Sequence, residues 1–194
     1  MKNEEFASAL PICALLLCIA FVVAAAARLK GTPSQSVATE KDSSLFTLHS
    51  SLNDSVYWLN EWKLPYPVYR FCTGDVDGDG QEDALVGVIK KTRFHRDLGR
   101  RIFIFKLVDE RSASGRLVPD GRKKVRPLWL GSRLGATLID FRFVDGCVRA
   151  LETDGMGRYG VVDYRWNDFG MTFERFIVKD TDEKHAMDCF STTN

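Results

Sequence analysis

The sequence predicts an all-β fold: a small antiparallel sheet, sandwich or propeller-blade-like domain, preceded by an N-terminal hydrophobic helix. Three observations lead there. From Val56 onward, short runs rich in Val, Ile, Phe and Tyr recur, and these residues suit a pleated surface. Turn signals built on Gly, Asp and Asn separate the runs. No segment of that region sustains an apolar period of 3.6 residues.

The first element decides the compartment. Phe6 to Ala27 holds about 22 consecutive uncharged residues, ended by Arg28 and Lys30. That is long enough to span a bilayer as a helix. As a signal peptide, Ala24-Ala25-Ala26-Ala27 would supply an A-x-A-type cleavage site. As a signal anchor, the segment stays in the membrane. Lys2 is offset by Glu4 and Glu5, a poor flank for a cleaved signal, so the uncleaved anchor is preferred. Leu15-Leu16-Leu17-Cys18 resembles a bacterial lipobox only loosely, because Leu17 stands where a small residue is expected. The chain therefore divides into a targeting or anchor segment over 1–30, a polar linker over 31–55, a calcium-loop β-domain over 56–179 and a flexible tail over 180–194. A short helix is expected around Leu45 to Leu52. The folded domain is placed outside the cytoplasm, secreted or tethered to the membrane.

Eight strands follow in order. Val68 to Cys72 is short and apolar. Ala84 to Ile89 is a continuous apolar run, the pattern of a strand covered on both faces. Arg101 to Val108, Val125 to Leu130, Thr137 to Val144, Cys147 to Thr153, Tyr159 to Trp166 and Met171 to Val178 complete the set. Asp145-Gly146, between two of these runs, is a two-residue hairpin signal.

The chemistry concentrates between the first two strands. Asp75-Val76-Asp77-Gly78-Asp79-Gly80-Gln81-Glu82-Asp83 places five carboxylates in nine residues, and carboxylates this crowded repel one another unless a cation separates them. Asp75, Asp77 and Asp79 hold positions one, three and five. Gln81 at position seven offers a backbone carbonyl, and Asp83 at position nine another carboxylate. Gly78 and Gly80 let the chain wrap tightly. Calcium takes six to eight hard oxygen ligands in flexible geometry, and magnesium, which prefers a stricter octahedron, is second choice. An EF-hand is excluded, because its twelfth position carries a bidentate Glu and here that position is Val86.

The run from Asp75 to Val86 resembles the calcium-binding loop of FG-GAP and VCBS repeats, in which D-x-D-G-D-G-x-x-D is followed by an apolar strand. The resemblance implies side-chain ligands at Asp75, Asp77, Asp79 and Asp83 and a carbonyl ligand at Gln81. It also implies a fold related to propeller blades of extracellular proteins. It covers about 15 to 20 residues. A propeller needs about four blades or more, and this chain has room for about two. The second candidate loop, Asp154 to Gly160, lacks the alternating carboxylates.

The remaining features are less specific. Lys90 to Arg126 carries an excess of about nine positive charges, read first as solvated loops that keep sheet edges from pairing. The overall formal charge is only +1, and an exported domain has no use for nucleic acid. Trp58, Trp62, Trp129 and Trp166 are expected to pack in or beside the core. Asp140, Asp145, Glu152, Asp154 and Asp163 show no spacing that makes a catalytic pair. No zinc, Ser-nucleophile or phosphate-loop motif is present, and no catalytic residue is assigned. The sequence thus points to an exported, membrane-tethered calcium-binding β-domain that binds a protein or a glycan. A carbohydrate-active enzyme, or an accessory or structural subunit of a cell-envelope complex, is the alternative.

Overall fold

The computed structural model describes residues 45–51, 56–91, 97–111 and 121–192. The apolar segment from Phe6 to Ala27 and most of the polar linker lie outside the described residues. Among the described residues, no helix is long and apolar enough to cross a membrane.

The described chain is mostly β, in three antiparallel sheets. A three-stranded sheet holds β1 (Leu48–Ser50), β2 (Tyr57–Leu59) and β3 (Trp62–Leu64). A first four-stranded sheet holds β4 (Val68–Gly74), β5 (Asp83–Lys90), β6 (Gly99–Asp109) and β7 (Lys123–Trp129). A second holds β8 (Thr137–Val144), β9 (Cys147–Thr153), β10 (Tyr159–Asn167) and β11 (Gly170–Thr181). Each strand pairs with its neighbour in sequence, so all three sheets are meanders. One helix, α1 (Glu183–Ser191), follows.

Period-two alternation explains how the layers stack. In β5 and β6, Ala84, Val86, Phe103 and Phe105 face one core, which Phe46, Leu59 and Leu64 of the N-terminal strands complete. Leu85, Ile102 and Ile104 face a second core, shared with Leu138, Phe141, Val148, Ala150 and Val162 of the second four-stranded sheet. Successive side chains of a strand point to opposite faces, so a strand covered on both faces reads as unbroken apolar sequence. On the far side of the second sheet, Leu151 and Val161 meet Ala186 and Phe190 of α1 in a third core.

All eight expected strands are present, with ends displaced by three residues at most. The Asp145-Gly146 hairpin is also present, with both residues at positive φ (51° and 71°), as a type I′ turn requires. Two expectations are corrected. In place of the short helix expected around Leu45 to Leu52, the described residues 45–51 form an extended segment carrying β1, because Phe46 is drawn fully into the first core and Asn60 Oδ1 accepts from Thr47 N at 2.7 Å. The tail from Asp180 is not a loose end. Asp182 caps α1 by accepting from His185 N, and Phe190 is buried. Arg142 donates to the carbonyls of Ser191 and Thr192 at the helix C-terminus, where a cation complements the helix dipole.

Three of the four tryptophans pack as expected, and Trp58 instead lies under Lys63 Nζ, 5.9 Å from its ring centroid. Trp62 sits against Phe105, with ring centroids 5.8 Å apart, and Trp129 and Trp166 pack beside the second core.

Candidate metal centre

Gly74 of β4 pairs with Asp83 of β5, so Asp75 to Glu82 is the connection between them. The loop is shaped by its own side chains. Asp77 Oδ1 accepts from Asp79 N at 3.3 Å, Asp79 Oδ1 from Gln81 N at 2.9 Å, and Asp75 Oδ2 from Gly80 N at 3.0 Å. Short acidic side chains bonding backbone two residues on are a recurrent turn device. Gly78 and Gly80 take φ of +74° and +80°, the left-handed region that favours glycine. Val76 is buried in the second core and pins the loop to the sheet.

Three of the five predicted ligand residues converge. Asp75, Asp77 and Asp83 each present a carboxylate oxygen, and the three lie within 4.8 Å of one another. Asp83 is 1% exposed, and its Oδ2 accepts from Val76 N at 3.0 Å. Its Oδ1 and Asp75 Oδ1 are buried without a hydrogen-bond donor. Burial pushes the Asp83 carboxyl up to about 6. A buried acceptor with no partner costs about 1–3 kcal/mol, and a cation would satisfy both oxygens at once.

Asp79 stands apart from that cluster. Its Oδ2 is held at 2.9 Å by Lys106 Nζ, which also lies 2.5 Å from Asp77 Oδ2. The β5–β6 register explains the approach: Ala84 faces Phe105, so Asp83 lies level with Lys106. The Lys106 hydrogen bond holds the Asp79 carboxyl below its ordinary range. The Gln81 side chain accepts from Lys123 Nζ at 3.1 Å, and Glu82 bonds Thr73 Oγ1. Part of the basic stretch read as solvated loops therefore serves the acidic loop directly.

The donors fit calcium: hard oxygens only, on a loop with two flexible glycines. Asp75, Asp77 and Asp83 would hold the ion, with Asp79 and the Gln81 carbonyl as further oxygens. The loop from Asp154 to Gly160, which lacks the alternating carboxylates, is not equivalent in position either. It joins the second and third strands of its sheet, whereas the acidic loop joins the first and second, the place taken there by Asp145-Gly146.

Of the other carboxylates singled out, Asp145 is exposed in its hairpin turn, and the remaining four are held in pairings. Asp140 pairs with Arg70, and Asp163 with Arg149 and Arg175. Asp154 Oδ1 accepts from Met156 N and Arg158 N inside its own turn. Glu152 is 4% exposed and accepts from Tyr164 OH at 3.0 Å and from Ala136 N at 3.1 Å. Glu152 and Tyr164 also line a groove of about 560 Å³, with Val162, Met171, Phe173 and Phe176. A bulge builds its aromatic wall: Asp163 faces Arg175 and Tyr164 faces Phe173, leaving Glu174 as the extra residue. Phe173 and Phe176, three apart in sequence, thereby share a face, with centroids 5.0 Å apart. Sequence reasoning missed this groove, since strict alternation would have put the two rings on opposite faces.

No family model, no curated protein and no solved structure matches this chain.

Proposed function

We propose that this chain is an exported, membrane-tethered binding module whose β4–β5 loop holds a calcium ion. The observation that carries the reading is the convergence of Asp75, Asp77 and Asp83 around two buried carboxylate oxygens that have no donor. Calcium supplies the positive charge that lets these groups sit together and fastens the loop to the sheet. The two four-stranded meanders have the strand count of propeller blades, in keeping with the FG-GAP and VCBS resemblance of the loop. A protein or a glycan outside the cytoplasm is the partner class, and Phe6 to Ala27 is the tether.

Isothermal titration of the full-length protein in detergent tests the metal. Calcium is expected to bind at one site, magnesium more weakly, and Asp75→Asn and Asp83→Asn to abolish the heat. A wild-type protein that takes up neither ion would overturn the reading.

A further inference from the structure

We infer that Lys106 is the resident counter-ion of the acidic loop, competing with the metal for Asp77 and setting its affinity. The inference rests on the calcium reading above. Lys106 comes from β6, a different strand from those the loop joins, and its ammonium reaches Asp77 Oδ2 at 2.5 Å and Asp79 Oδ2 at 2.9 Å. An ammonium has three donors. None of its hydrogen bonds goes to Asp75 Oδ1 or to Asp83 Oδ1, the buried oxygens without a donor. Asp83, 1% exposed, is therefore left for a second cation that Lys106 does not replace.

Asp77 belongs to both arrangements, since it lies in the cluster of three carboxylates and also bonds Lys106. Calcium holds oxygens at about 2.3–2.6 Å. An ammonium and a divalent ion on the same carboxylate would sit a few ångströms apart and repel strongly where water is scarce. The metal must therefore displace Lys106 from Asp77, leaving it on Asp79 or in solvent, where its side chain is already 25% exposed. Before the metal arrives, the same ammonium offsets part of the repulsion among the loop's carboxylates and keeps the loop folded. The site is thereby tuned to weak, reversible occupancy.

The test is calcium titration of full-length wild type, Lys106→Met and Lys106→Arg in detergent, with folding of each checked by circular dichroism in calcium and in chelator. Lys106→Met keeps the apolar stem and removes the charge. It is expected to bind calcium about tenfold more tightly or better, because charge balance sets affinity in such loops. Its thermal midpoint in chelator is expected to fall, and its calcium-induced rise to exceed that of wild type. Lys106→Arg keeps the charge and is expected to stay within about threefold of wild type. Should Lys106→Met fold only in calcium, the calcium concentration at half-folding replaces the titration, and loss of the metal-free fold supports the inference. Wild type that binds calcium while Lys106→Met binds it equally or more weakly overturns the role of Lys106 and leaves the calcium reading standing. Absence of binding in every variant overturns both.

Discussion

Arg149 of β9 and Asp163 of β10 stand directly opposite each other and form a two-pronged ion pair, 2.8 Å and 3.1 Å, with side chains only 2% and 1% exposed. Arg175 of β11 adds a third hydrogen bond to Asp163, at 3.0 Å. The pair lies on the face that α1 covers, and Arg149 also reaches the Thr192 carbonyl at the helix end. Three strands and the helix are tied through one carboxylate.

Asp163→Asn leaves Arg149 buried without its counter-charge, and breaking such a pair costs about 3–5 kcal/mol. The substitution also changes the acid limb of stability. Burial raises the Asp163 carboxyl, but hydrogen bonds from Arg149 and Arg175 outweigh it and hold the group below its ordinary value of 3.8. The unfolded state thus binds the proton more tightly, so this stabilisation is present above about pH 4 and is lost as the pH falls through the folded value. Urea denaturation at pH 7 and between pH 5 and 3 should show a large loss for Asp163→Asn at neutral pH and a flatter acid dependence.

Glu152 has the opposite sign. Its burial raises the carboxyl above its ordinary value, outweighing the hydrogen bonds from Tyr164 and Ala136. The folded state binds this proton more tightly, so its contribution is full below the unfolded pKa and is lost as the pH rises through the folded one. Glu152→Gln keeps an acceptor for Ala136 N and removes the charge. Its stability should fall less than that of wild type between pH 4 and 7. Tyr164→Phe removes the acceptor of Gly135 N, 3.0 Å away, and should cost about 1–3 kcal/mol at any pH.

Gly74 marks where the two four-stranded sheets approach. A Cβ built there would lie 1.9 Å from Phe143 Cδ1 of β8. Gly74→Ala is therefore an overpacking change, worth about 1–3 kcal/mol. Phe143→Leu in the same chain should recover part of that loss, which a double-mutant cycle in chemical denaturation would measure.

The strands of the two larger sheets were legible because each runs for seven residues or more, long enough for its β-forming or apolar character to show between turn signals. The β1, β2 and β3 strands have three residues each, too short to show a period, and only tertiary cover from the first core makes them strands. α1 carries just two buried residues, Ala186 and Phe190, spaced four apart. With the Asp182 cap, that spacing was the available signal of a helix in a segment of nine residues. The acidic loop was legible because its positions are local in sequence. Lys106 was not, since its place beside Asp77 comes from strand register, and among so many basic neighbours it looked like a surface charge.

In the proposed function, Asp75, Asp77 and Asp83 hold calcium in the folded state. Thermal unfolding of the full-length protein in calcium, in magnesium and in chelator tests it most directly, because an ion that binds only the folded chain must raise the midpoint as its concentration rises. At about a hundred times the dissociation constant the gain is about 2.7 kcal/mol. A calcium-specific rise that Asp83→Asn abolishes is expected. One midpoint in all three conditions would contradict it.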